Sequence, residues 1–293
     1  MRIPKFRCSY RCAAVAVLAC ILSAYGWSAE LQGPDRIAAG QGISFQTSGS
    51  GSATLYVSGP GMAIKREVKL GEEISLRPEE LRTQGRYVAS LGEAGDTKVF
   101  FVTAAAPTAV TFLARPSRVP AAQTDVISGV AFVYDQYRNL VPAPAQVKFT
   151  LGVNGSSGME RTVQSKDGIA YIKDASPAHA GAAQFIASVG GASVRRVVTL
   201  VAGEPCSLHM SVHREGYFLV ADTDPIKDCA GNPVPDGTIV TFTETEASGW
   251  RSQVDARIKR GIARAELPPS NDAVISVASG IKMGNEIHVG GGA

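Results

Sequence analysis

"DCAGNPVPDGTIVTF" occupies residues 228–242, and a worn copy, "DQYRNLVPAPAQVKF", occupies residues 135–149. Displaced by 93 positions, Asp135 meets Asp228, Asn139 meets Asn232, and Val141-Pro142 meets Val234-Pro235. Val147 then meets Val240 and Phe149 meets Phe242. Further on, the same shift lays Gly168-Ile169-Ala170 over Gly261-Ile262-Ala263. A register that holds over such a span marks one supersecondary unit used twice. Its chemistry is that of a turn feeding a strand. Asp228, Gly231, Asn232, Pro233 and Pro235 shape the turn, because Asn and Gly tolerate left-handed backbone and Pro presets φ. Val-x-Phe then places two large side chains on one face of the next strand, toward a core. In the earlier copy Arg138 stands for the glycine and Leu140 for the first proline, which predicts a different turn there.

Outside this unit the chain is a series of short alternating runs rich in β-branched and aromatic residues. Examples are "ISFQT" (43–47), "KVFFVT" (98–103), "IAYIKD" (169–174), "TIVTFTE" (238–244) and "AVISVA" (273–278). Gly, Pro, Asn and Asp punctuate them. Only "RPEELRTQ" (77–84) reads as helical, for about two turns. Many short strands without helices between them predict an all-β sandwich or barrel. Breaks near Pro107 and Pro205 divide the chain into modules at 30–105, 107–202 and 205–291. Both joints are short, so a semi-rigid row is expected.

The first 29 residues stand apart. Arg2, Lys5, Arg7 and Arg11 precede an apolar run that ends in small residues, the pattern of a cleaved secretory signal peptide. A membrane anchor is the competing reading, but the run falls short of a span. A third reading is a lipobox ending at Cys20, with a lipid on that cysteine. The segment carries 4 of the 29 basic residues and none of the 26 acidic ones, so the remainder holds 25 against 26, a net charge of −1. A nucleic-acid binder keeps a basic stripe, and none is present. Of the five cysteines, Cys206 and Cys229 lie beyond the segment. An even pair in an exported chain reads as one disulfide, against two buried thiols.

The repeated unit resembles the bacterial Ig-like domain, group 1, of the invasin and intimin surface proteins. In that family a strand ends at an Asp, turns through Gly-Asn-Pro-Val-Pro into Val-x-Phe, and is followed by a later Gly-x-Ala. The matching positions are Asp228, Gly231, Asn232, Pro233, Val234, Pro235, Phe242 and Gly261, and in the earlier copy Asp135, Asn139, Val141, Pro142, Phe149 and Gly168. The resemblance covers about 107–291 and implies tandem Ig-like β-sandwiches. The first module is a more divergent sandwich. Its Tyr87, in "LRTQGRYVASL" (81–91), sits where an Ig strand carries a corner tyrosine, with Ala89 at the cysteine position. An ordinary strand tyrosine is the alternative there.

Reactive groups are sparse. No Gly-x-Ser-x-Gly elbow sits between a strand and a helix. His209 and His213 share a strand face but stand too far apart for an easy shared metal, with Glu215 as a third ligand. "NGS" (154–156) reads as a loop. The acidic segment holds Asp222, Asp224, Asp228 and Asp236. Turn chemistry explains it; a calcium site and a hydrolase pair are the alternatives. The expectation is therefore an exported, non-enzymatic repeat protein without cofactor or mature transmembrane segment, at the bacterial periplasm or cell surface. Its partner would be an envelope or extracellular protein or glycan, the glycan reading being that of a carbohydrate-binding accessory protein.

Overall fold

The computed structural model describes residues 29–290, apart from 93–94 and 154–157. Residues 1–28, expected to be a signal peptide and carrying Cys8, Cys12 and Cys20, and the NGS at 154–156 lie outside the described residues. What is described is strand, turn and one short 3-10 helix.

The first module carries β1 (Leu31–Gln32), β2 (Arg36–Ala38), β3 (Ile43–Thr47), β4 (Ser52–Gly59), β5 (Met62–Lys69), β6 (Glu73–Leu76), β7 (Gly85–Leu91) and β8 (Thr97–Thr103). They form sheets β1-β3-β6 and β2-β8-β7-β4-β5. The second carries β9 (Ala109–Arg115), β10 (Arg118–Pro120), β11 (Ile127–Tyr134), β12 (Gln146–Val153), β13 (Met159–Gln164), β14 (Ile169–Asp174), β15 (Gly181–Val189) and β16 (Ala192–Val201). Its sheets are β14-β11-β9 and β10-β16-β15-β12-β13. The third carries β17 (Met210–Glu215), β18 (Phe218–Thr223), β19 (Ile239–Glu246), β20 (Arg251–Arg257), β21 (Arg264–Leu267), β22 (Ala273–Ser279) and β23 (Lys282–Val289), in sheets β17-β18-β21 and β20-β19-β22-β23. In the first two modules a short early strand also pairs in parallel with the last one, β2 with β8 and β10 with β16.

The alternation seen in sequence closes each sandwich. Along β11 every second residue is buried. Val147 and Phe149, like Val240 and Phe242, are fully buried. Phe112, Phe149 and Phe185 meet in the second module, with centroids 4.9–6.2 Å apart. Phe45, Tyr87 and Phe100 do the same in the first. The Tyr87 hydroxyl donates to Thr83 O at 2.8 Å, the corner bond of an Ig sandwich. These are tandem Ig-like sandwiches.

Two expectations are corrected. Residues 77–84 do not make two helical turns; only Pro78–Glu80 is helical, as 3-10. A helix this short has too few bonds to offset its nucleation. Leu81 leaves it for the core, fully buried, and its carbonyl accepts from Gly40 N. The two corners also do not differ. Arg138 adopts φ 67° and Gly231 φ 85°, both left-handed. Asp135 N bonds Asn139 O at 3.0 Å and Asp228 N bonds Asn232 O at 2.9 Å. Leu140 bridges Tyr134 just as Pro233 bridges Lys227. The Asp–Asn pair described below fixes the backbone, and Arg138 accepts the strained conformation.

The chain divides into two compact units. One is residues up to Ala106 together with Asp135–Asn139; the other is Pro107–Tyr134 together with the chain from Leu140 onward. The first corner thus belongs with the first unit, and the joint near Pro205 lies inside the second.

Candidate functional site

The repeated corner is the most organised polar site among the described residues. In the second unit, Asp228 Oδ1 accepts from Ala230 N at 2.9 Å and Asn232 N at 2.8 Å. Its Oδ2 accepts from Gly203 N, in the segment leading out of β16, at 2.9 Å, and from Asn232 Nδ2 at 3.0 Å. Asn232 reaches further back. Its Nδ2 donates to Ala178 O at 2.7 Å, and its Oδ1 accepts from Ala180 N at 2.8 Å. Residues 178–180 form the approach to β15 in the second module. The corner of the third module therefore holds the second module by its main chain.

The first corner repeats this atom for atom. Asp135 Oδ1 accepts from Tyr137 N and Asn139 N, both at 2.9 Å, and Oδ2 accepts from Ala105 N at 2.9 Å. Asn139 Nδ2 donates to Asp135 Oδ2 and to Arg82 O, both at 2.8 Å, while its Oδ1 accepts from Gln84 N at 2.9 Å. Residues 82–84 are the approach to β7. All four side chains are buried. Burial alone pushes the Asp135 and Asp228 carboxyls up. The Asn side-chain amide and the converging backbone N–H groups outweigh it and hold both below the ordinary carboxylate range.

Cys206 and Cys229 are bonded, and Cys206 N donates to Lys227 O at 2.9 Å. The bridge ties the segment after the joint to the corner itself.

The acidic segment scatters. Asp228 is spent in the corner. Asp236 accepts from Arg260 N at 2.9 Å and Gly261 N at 3.2 Å, which lowers its pKa. Asp224 faces His209 at 3.3 Å. Asp222 lies 3.7 Å from Arg264 and 3.8 Å from His213, and Arg264 also pairs with Glu215. Each of the four aspartates thus meets hydrogen-bond or ion-pair partners in its own neighbourhood. Among the described residues no group of three or more His, Cys, Asp or Glu is placed to hold a metal ion.

Two aromatic surfaces had no sequence motif. On the outer face of β14-β11-β9, Leu113, Val130 and Tyr171 line up across the sheet, with Phe132 opposite Ile169 beside them. Tyr171 is 54% exposed. In the third module Tyr217, Phe218 and Trp250 are exposed at the β17–β18 and β19–β20 turns. These turns flank the loop 268–272, at the end away from the corner. There the Ser270 carbonyl accepts from Arg214 of the same module, at 2.7 Å.

The corner residues were legible as turn formers. Their reach into the preceding segments was not, because the atoms they grip are main-chain N–H and C=O groups carried by unrelated sequences, "RTQ" and "AHA". The one shared trace is a glycine just after each gripped segment, Gly85 at φ 149° and Gly181 at φ 143°.

No family model matches this chain, and no curated protein does. Solved structures do. The Escherichia coli adhesin FdeC is similar over 91% of this chain and 96% of its own, with a TM-score of 0.57 and 13% identity. Yersinia pseudotuberculosis InvD is similar over 90% of this chain and 98% of its own, with a TM-score of 0.53 and 14% identity. At such identity the likeness is one of fold, tandem Ig-like domains.

Proposed function

We propose that this chain is an exported, non-enzymatic Ig-like repeat protein of the bacterial cell envelope, an adhesion or spacer module. The observation that carries the reading is the corner, built twice with the same bonds to main-chain atoms. Bonds to main chain, not to particular side chains, suit a device that holds the third sandwich on the second whatever the sequence there. A catalytic cleft has no use for it; a protein that must present loops at a set distance does. The fold likeness to an adhesin supports the same reading. The loops carrying Tyr217, Phe218 and Trp250 are the contact surface this reading favours, since loops on a rigid scaffold carry binding.

Fractionation of the host cell with intact mass tests export and location together. A chain lacking residues 1–28 or 1–29 in periplasm or medium supports a soluble module. A chain beginning at Cys20 with acyl mass in membranes supports a tethered one. An unprocessed cytoplasmic chain overturns the proposal. Antibody labelling of intact cells separates surface from periplasm.

A second reading, carbohydrate binding, is favoured by the aromatic face of the second module, because aromatic rings stack on sugar faces. It predicts glycan-array binding that Tyr171→Ala removes. Binding that instead follows Trp250→Ala places the contact on the third module.

A further inference from the structure

Glu244 is the polar group that the corner, the surface ion pairs and the fold leave unexplained. It lies on β19, two residues after Phe242, with its side chain on the core face and fully buried. Neither carboxylate oxygen has a hydrogen-bond partner. Its cross-strand neighbours are Ser252 on β20 and Ile275 on β22. The surrounding core is apolar and includes Leu219, Leu267, Ile275 and Val277. At the 93-residue shift its counterpart in the second module is Leu151, which is equally buried. The third module therefore carries a carboxyl group where its sister carries a hydrocarbon.

The charged groups of the surrounding strands give it no partner. On its own strand Glu246, a like charge, lies nearest in sequence. On β20, Arg251, Asp255 and Arg257 are exposed, and Asp255 accepts from Thr241 at 2.6 Å. β22 has no charged residue. On β23, Glu286 and His288 are exposed and Lys282 pairs across from Ser279 at the far end of the strand. From the facing sheet, Arg214 ends on Ser270 and Asn271, while Glu215, Asp222, His213 and Arg264 pair among themselves outside the core. Glu266 on β21 is exposed.

A buried carboxylate with neither donor nor counter-ion is strongly disfavoured, whereas its protonated form costs far less. We propose that Glu244 is a proton-operated brace of the third module: protonated, it lets the sandwich close, and on losing its proton to solvent it loosens the end of β19 that leads to Trp250. Burial first, then the neighbouring Glu246, raises its pKa, in keeping with that geometry. The sign follows from linkage. A group whose folded pKa is raised contributes its stability at low pH and loses it as pH rises from the unfolded value through the folded one.

The test is urea unfolding of the full chain between pH 5 and pH 8. Trp250 fluorescence reports on the third module, and Trp27→Phe removes the only other tryptophan. The wild-type midpoint should fall as pH rises, by roughly 0.5–1.4 M urea for each unit of raised pKa. Glu244→Gln should flatten that slope and exceed the wild-type midpoint at pH 8, and Glu244→Leu, copying Leu151, should do the same. The proposal is overturned if wild type and Glu244→Gln share one slope. It is equally overturned if both variants unfold earlier than wild type at every pH, because that means the carboxylate has a favourable charged partner.

Discussion

Asn232 does two jobs with one amide. Its Nδ2 steadies Asp228 within the turn and grips Ala178 O, while its Oδ1 receives Ala180 N. Truncating it leaves buried backbone groups and a buried carboxylate short of partners, at about 1–3 kcal/mol per orphaned group. Asn232→Ala should therefore unfold the third module at lower denaturant. Asn232→Asp should be worse, because it sets a second carboxylate against Asp228 and the Ala178 carbonyl. Chemical denaturation of both variants checks the order. Acid acts at the same place. Asp135 and Asp228 have depressed pKa values, so their stabilisation is present above the unfolded carboxylate pKa and is lost as pH falls through the folded value. The corners should weaken in acid, below the pH window in which Glu244 acts with the opposite sign. A pH titration of amide protection at Gly203 and Ala105 reports this, and protection that does not fall as pH is lowered below the unfolded carboxylate range contradicts it.

At the level of elements, the turn-to-strand unit was readable because its side chains obey the two-residue period of a strand. Val240 and Phe242 follow the corner and both point inward. Phe242→Ala should cost about 3–5 kcal/mol, measured by urea unfolding; a near-neutral value would reject the register of β19. The disulfide closes a 23-residue separation. In the chain-entropy account a loop of this size stabilises by about 3 kcal/mol. Dithiothreitol should lower the melting temperature of the third module and spare the first. Residues 77–84 misled because helical composition was read without knowing that Leu81 is claimed by the core. Arg138 misled for a related reason. A local preference against left-handed backbone was overridden by six hydrogen bonds between Asp135, Asn139 and their neighbours.

For the whole molecule, many short alternating strands without helices between them reached the all-β class, and the family resemblance carried by the repeated corner reached the Ig-like fold. The near-neutral charge beyond residue 29 argued against a nucleic-acid partner. The exposed aromatic surfaces were illegible, because an exposed tyrosine such as Tyr171 and a buried one such as Tyr87 look alike until the strands are paired. The grip of each corner on the preceding main chain was illegible too, since no side chain there encodes it. That grip is the centre of the account, and amide hydrogen exchange of the full chain tests it most directly. In wild type, Ala180 and Gly203 should be protected, although both lie in connecting segments. In Asn232→Ala, Ala180 should exchange freely while the amides of β15 keep their protection. If Ala180 exchanges as fast in wild type as in the variant, the corner does not hold the second module, and the stacking role falls.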